Sequence, residues 1–251
     1  MKIIFSPSKS QQLPVKMGKL NNTYLGTQPV FKQKTKKLMT VLRKYSLIEI
    51  QRFFKVSLRK SQDIVVNREN FSLSGVIMAK DLFTGTAFKE LAIHNYNSKQ
   101  TKYFKQQVRI LSALYGVLEP DNLVCPYRLD MTDNFVVNEL PYKNMYDYWG
   151  DDISNYFPVN EIIINLASNE YSQMLSLFPK KMIINIHFRI VKEGKEKSLS
   201  VHTKQQRGKM LNHMVLCDIK DPLLLKKYSS NGFIFNPQKS DTYNYFFIKI
   251  T

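Results

Sequence analysis

The run Glu161-Ile162-Ile163-Ile164-Asn165-Leu166-Ala167 constrains the fold more than any other stretch of the chain. Its apolar residues follow one another without the three- and four-residue spacing of an amphipathic helix. It has the pattern of a buried strand. Lys2 to Phe5 is a second short apolar run, stopped by Ser6-Pro7, and reads as a strand entering a loop. Lys181 to Val191 and Ser198 to Thr203 flank the polar turn Lys192 to Lys197 and read as a hairpin. Gly232 to Phe235 and Tyr243 to Ile250 read as another, around Asn236-Pro237.

Helical patterns separate these strands. Leu38, Val41 and Leu42 predict an amphipathic helix over Lys34 to Tyr45, with a strongly basic outer face. Ser46 and Glu49 form a capping box for the next helix, which runs through Ile50, Phe53 and Phe54 toward Val65. Thr101 to Leu114 has helical spacing and ends at Tyr115-Gly116. Lys143 to Phe157 and Arg207 to Cys217 also read as helices. Gly75 to Phe83 fits helix or strand, and residues 10–31 read as loop. The sum is α+β, in one compact domain spanning residues 1–251. Hairpins mixed with separated helices argue against a doubly wound parallel sheet.

Composition excludes several classes. Hydrophobic residues make up 43% and aromatics 12%, too many for a disordered chain. Two cysteines, Cys125 and Cys217, make no disulfide framework. The N-terminal apolar run is too short for a secretory segment, and nothing approaches a membrane span. A cytoplasmic protein with reduced cysteines and no membrane partner is expected.

The formal charge is +17, which favours a polyanionic partner, nucleic acid first. It is unevenly spread. Residues 1–70 hold 15 basic and 3 acidic residues, residues 71–150 hold 8 of each, and residues 151–251 hold 14 and 9. Two basic regions flank a neutral middle.

The common chemical signatures are missing: no phosphate loop, no G-x-G-x-x-G, no C-x-x-C, no H-E-x-x-H, no G-x-S-x-G. The four histidines show no metal spacing, so neither a metal site nor a cofactor is expected. His187 and His202 fall on the two arms of the first predicted hairpin. Four constellations remain. Ser6-Pro7-Ser8-Lys9 ends a strand and offers hydroxyls, backbone amides and a charge to an anion, or is an ordinary turn. Leu111 to Asp121 reads as a helix, an apolar hairpin and a second short helix. Such an element presents backbone amides to phosphate, through Tyr115, Gly116, Val117 and Leu118, or is a plain glycine-capped helix end. Pro126-Tyr127-Arg128-Leu129-Asp130 places an arginine to clamp a phosphate or to pair with Asp130. Asn165 to Tyr171 and Lys204 to Gly208 put small polar and basic residues at a strand end and a helix start, common walls of ligand clefts.

These strings occur in an order that resembles the YaaA family of bacterial peroxide-stress-resistance proteins. The matching stretches are Ser6 to Lys9, Leu111 to Leu118, Pro126 to Met131, Tyr146 to Gly150, Asn165 to Tyr171, Lys204, Arg207-Gly208 and Gly232-Phe233. The resemblance implies a cytoplasmic protein that limits hydrogen peroxide damage by lowering free iron. It implies a single α+β domain with a curved mixed sheet, surrounding helices and a basic cleft. It also implies a helix-hairpin-helix element and binding to double-stranded or branched DNA. Ser6, Lys9, Arg128, Asn165, Ser168, Lys204, Arg207 and Gly208 are then expected at the cleft. Glu119 stands where the family often has Arg, which lowers the charge of the hairpin. The leading expectation is phosphate-backbone binding without strong sequence preference. The rival is an enzyme acting on a nucleotide or a damaged or modified base, with Lys9, Ser8 and Ser168 as catalytic candidates. A nucleotide-like ligand in the cleft fits either.

Overall fold

The computed structural model describes residues 1–12, 26–72, 75–197 and 199–251. Of the loop predicted over residues 10–31, residues 13–25 lie outside the described part, as does Ser198 of the predicted hairpin.

The strands are β1 (Lys2–Phe5), β2 (Ile77–Met78), β3 (Val108–Ser112), β4 (Gly116–Leu118), β5 (Leu123–Val124) and β6 (Ile163–Asn165). The later ones are β7 (Ile183–Lys192), β8 (Lys195–Lys197), β9 (Ser229–Ser230), β10 (Phe233–Phe235) and β11 (Asn244–Ile250). Nine of them form one mixed sheet in the order β4-β3-β1-β6-β7-β11-β10-β9, with β8 paired to β7. β2 and β5 pair separately.

β1 and β6 lie side by side in the middle. Ile3, Ile4, Ile163 and Ile164 are fully buried, as apolar runs without polar alternation require of strands covered on both faces. β3, β1, β6, β7 and β11 are all parallel, which corrects the expectation against a parallel sheet. Among the described residues the mixed sheet's antiparallel pairs are β3–β4, β7–β8, β9–β10 and the predicted β10–β11 hairpin.

The first helices follow their local signals. α1 (Lys32–Leu42) buries Leu38, Met39, Val41 and Leu42. α2 (Leu47–Phe54) starts at Ser46 with both bonds of the capping box to Glu49. It stops at Lys55, whose φ of 50° is left-handed, and Ser57 caps a fresh helix, α3 (Leu58–Glu69). α4 (Ala79–Leu82) follows β2, so the ambiguous stretch is strand and then helix.

α5 (Ser98–Gln107) ends seven residues earlier than its apolar spacing predicts. Val108 to Ser112 instead pairs in parallel with β1 and is buried at every position. The tertiary pairing overrides a helical period that Val108, Leu111 and Leu114 satisfy by coincidence. The predicted helix-hairpin-helix is therefore a β-hairpin, β3–turn–β4. Gly116 has φ 76°, and a side chain there would meet Trp149, Phe31 and Ile153.

Two further boundaries differ. The helix predicted over Lys143 to Phe157 is α6 (Met145–Trp149) and α7 (Asp152–Tyr156), parted at Gly150 with φ 46°. After the short α8 (Asn169–Ser172), the long α9 runs from Ser200 to Leu216. His202 thus lies on a helix rather than on a strand beside His187.

Candidate functional site

From β1 the chain builds β3 and β4 on one side, then places β6, β7 and β11 on the other. The boundary between β1 and β6 is where the winding reverses. In parallel sheets, a crevice opens beyond the carboxyl ends of the strands at such a point. Here that crevice is a cavity of about 320 Å³. It is lined by the Ser6–Gln11 loop after β1, Gly85 to Phe88, Tyr127 to Asp130, the end of β6 with α8, and Lys204 and Arg207 of α9.

The two strand ends are tied together. The Ser168 backbone N–H donates to Ser6 Oγ at 2.8 Å, and the Ser6 hydroxyl lies 3.2 Å from Ser168 Oγ. Ser8 Oγ accepts from the Gly85 N–H at 2.9 Å and donates to the Ser10 carbonyl. A Cβ on Gly85 would stand 2.6 Å from Ser8 Cβ, so glycine allows this contact. Gln11 Oε1 accepts from the Tyr127 N–H at 2.8 Å and joins the loop to the opposite wall.

That wall centres on Asp130. Its carboxylate pairs with Lys9 at 2.9 Å and Arg128 at 3.2 Å, and Tyr171 donates its hydroxyl at 3.3 Å. Behind it, Asp133 accepts from the Asp130 N–H at 2.7 Å. Burial, with Asp130 adding like charge, pushes the Asp133 carboxyl up to about 6. Glu170 lines the cavity and is also raised, first by burial and then by Asp130.

The α9 wall is different. Arg207 forms no hydrogen bond or ion pair among the described residues, and its buried Nε is without a partner. Burial, followed by repulsion from Arg189, lowers it to about 10, where it still carries its charge at neutral pH. Lys204 stands exposed one turn earlier. Gly208 is a packing residue. A Cβ there would lie 2.1 Å from the Ala87 carbonyl oxygen, so glycine lets α9 close on the 85–88 segment.

The structure thus brings Ser6, Ser8, Lys9, Arg128, Ser168, Lys204 and Arg207 to one cavity. Asn165 is elsewhere. It donates to Asn185 at 2.8 Å and lines a neighbouring pocket with Asn185 and Asn244. Tyr115, Gly116, Val117 and Leu118 are buried in the β3–β4 hairpin and present no surface to a phosphate. Lys9 is 65% exposed and ion-paired with Asp130. Asp130 had been named as a pairing partner of Arg128, and the pair forms, whereas Glu170 and Tyr171 were visible within the motif strings but not picked out. Gly85 and Thr86 carried no signal, because only the fold brings them to Ser8.

The comparisons with known proteins agree with this chain from end to end. The model of the family described as peroxide stress protein YaaA matches residues 1–239. The chain belongs to the YaaA family of peroxide stress proteins. A UPF0246 protein of Fusobacterium nucleatum is 33% identical over 253 residues, covering 99% of both chains. A UPF0246 protein of Francisella tularensis is 33% identical over 257 residues, covering 96% of this chain and 97% of its own. Among the described residues, no helix is long and apolar enough to cross a membrane.

Proposed function

We propose that this YaaA-family protein acts in the peroxide response by binding DNA through its phosphates, with one phosphate seated at Arg207. The observation that carries the reading is the buried Nε of Arg207, without a hydrogen-bonding partner among the described residues, in a cavity wall it shares with Lys204. A half-buried guanidinium keeps its charge, and one with an unpartnered Nε suits an anion with acceptor oxygens, which phosphate supplies. The exposed cations of the first helices, Lys36, Lys37, Arg43, Lys44, Arg52, Lys55, Arg59 and Lys60, would add contacts that do not depend on base sequence.

The test is the salt dependence of DNA affinity. Each neutralised phosphate releases counterions, so the logarithm of the binding constant falls with a slope of about 0.9 per contact on duplex DNA. A slope of several units supports the reading. Affinity that stays flat from low to moderate salt overturns it.

A second reading, an enzyme acting on a nucleotide or a damaged or modified base, draws on one observation. The Asp133 carboxyl, up at about 6, backs the wall that carries Glu170 and Asp130. Acids tuned toward neutrality suit general acid–base chemistry. Product formed from a mononucleotide or a lesion-bearing oligonucleotide, and lost in Asp133→Asn, would favour this reading over plain binding.

A further inference from the structure

The cavity has two walls of opposite character. Lys9 and Arg128 are both tied to Asp130, and Glu170 and Asp133 add carboxylates to that side. On this wall two lining carboxylates, Asp130 and Glu170, balance the two cations, with Asp133 behind them. The α9 wall holds Lys204 and Arg207, and among the described residues no carboxylate pairs with Arg207. Between them lie Phe5, Phe88, Leu129 and Leu166, an apolar lining. A volume of about 320 Å³ fits one nucleotide-sized unit, so DNA would meet this cavity through a single nucleotide turned out of its strand.

A ligand complementary to both walls carries an anion at one end and hydrogen-bond donors at the other, joined by a flat apolar body. We propose that the cavity seats a single nucleotide whose phosphate meets Arg207 and Lys204 and whose base carries an exocyclic amino group turned toward Glu170 and Asp130. The proposal rests on the phosphate reading of Arg207 above and adds the orientation and the class of base. The nucleotide can be a free nucleoside monophosphate or a unit turned out of a DNA strand, which share this chemistry.

The test compares adenosine monophosphate, inosine monophosphate, adenosine and inorganic phosphate by calorimetry on the full chain. A second arm uses a single-stranded oligothymidylate containing one adenine or one hypoxanthine. Adenine replaced by hypoxanthine exchanges the exocyclic amino donor for an oxo acceptor and turns ring N1 from an acceptor into a donor. The expected loss is about 10- to 100-fold, the range for a hydrogen bond to a charged group. Glu170→Gln should shrink that ratio, because a neutral amide accepts less strongly. Arg207→Gln should erase the advantage of the monophosphate over adenosine. Discrimination seen with the monomer assigns a free nucleotide to the seat. Discrimination seen only with the oligonucleotide assigns a strand. Equal binding of the adenine and hypoxanthine ligands in both arms overturns the proposal. If phosphate and DNA still depend on Arg207 in that case, the phosphate reading survives. If neither does, both readings fail together.

Discussion

The Ser168 backbone N–H donates to the Ser6 hydroxyl at 2.8 Å, and this bond locks the carboxyl ends of β6 and β1 beside each other. It sets the spacing of the cavity floor. Ser6→Ala removes the acceptor and leaves a half-buried N–H unpaired, which should cost about 1–2 kcal/mol in denaturant unfolding. Ser168→Ala keeps the donor and should cost less than half as much. Equal losses from the two would show that the backbone bond is unimportant.

Asp133 makes stability depend on pH in a defined sense. Its folded-state value of about 6 stands above the ordinary 3.8. The unfolded chain therefore loses the proton first, and folding stability falls as pH rises from about 4 to about 6. Two units correspond to about 3 kcal/mol at most. Asp133→Asn should flatten this part of the curve in urea melts across that range, gaining on the parent as pH increases. A parent and variant that run in parallel would contradict the assignment.

The β3–β4 hairpin should matter for stability and not for DNA. Leu118 is fully buried. Leu118→Ala should cost about 2–5 kcal/mol. At a temperature where the variant stays folded, its DNA affinity should equal that of the parent. A selective loss of DNA binding without destabilisation would restore the helix-hairpin-helix role.

Gly208→Ala forces a methyl group onto the Ala87 carbonyl oxygen. α9 must shift, at about 1–3 kcal/mol. Lys204 and Arg207 move with it, so phosphate affinity should fall together with stability. Thermal melts and phosphate titrations on one sample check both.

Much of the architecture was legible where a local signal and the tertiary fold agreed. The Ile162–Leu166 run, the Ser46–Glu49 box and the β10–β11 hairpin all read correctly from their own residues. Val108 to Ser112 did not, because its apolar positions fit both periods and only pairing with β1 selects the strand. The parallel order of the sheet was hidden for a similar reason. β6, β7 and β11 are neighbours through crossovers that no short-range pattern records. Seven of the cavity residues were named in advance, since they sit in the motif strings. Asn165 was misplaced, because a strand's last residue can face either side of the sheet. Gly208 was assigned to the ligand when its role is the close approach of α9 to Ala87. The charge of +17 pointed to a polyanion, yet the cation on which the proposed reading turns is a single half-buried arginine.

Arg207→Gln measured against the parent is the most direct test, as DNA affinity over a series of salt concentrations. The account predicts weaker binding at low salt and a salt slope smaller by about one unit, with unfolding midpoints no lower than the parent's. Unchanged affinity and slope in a folded variant would contradict it.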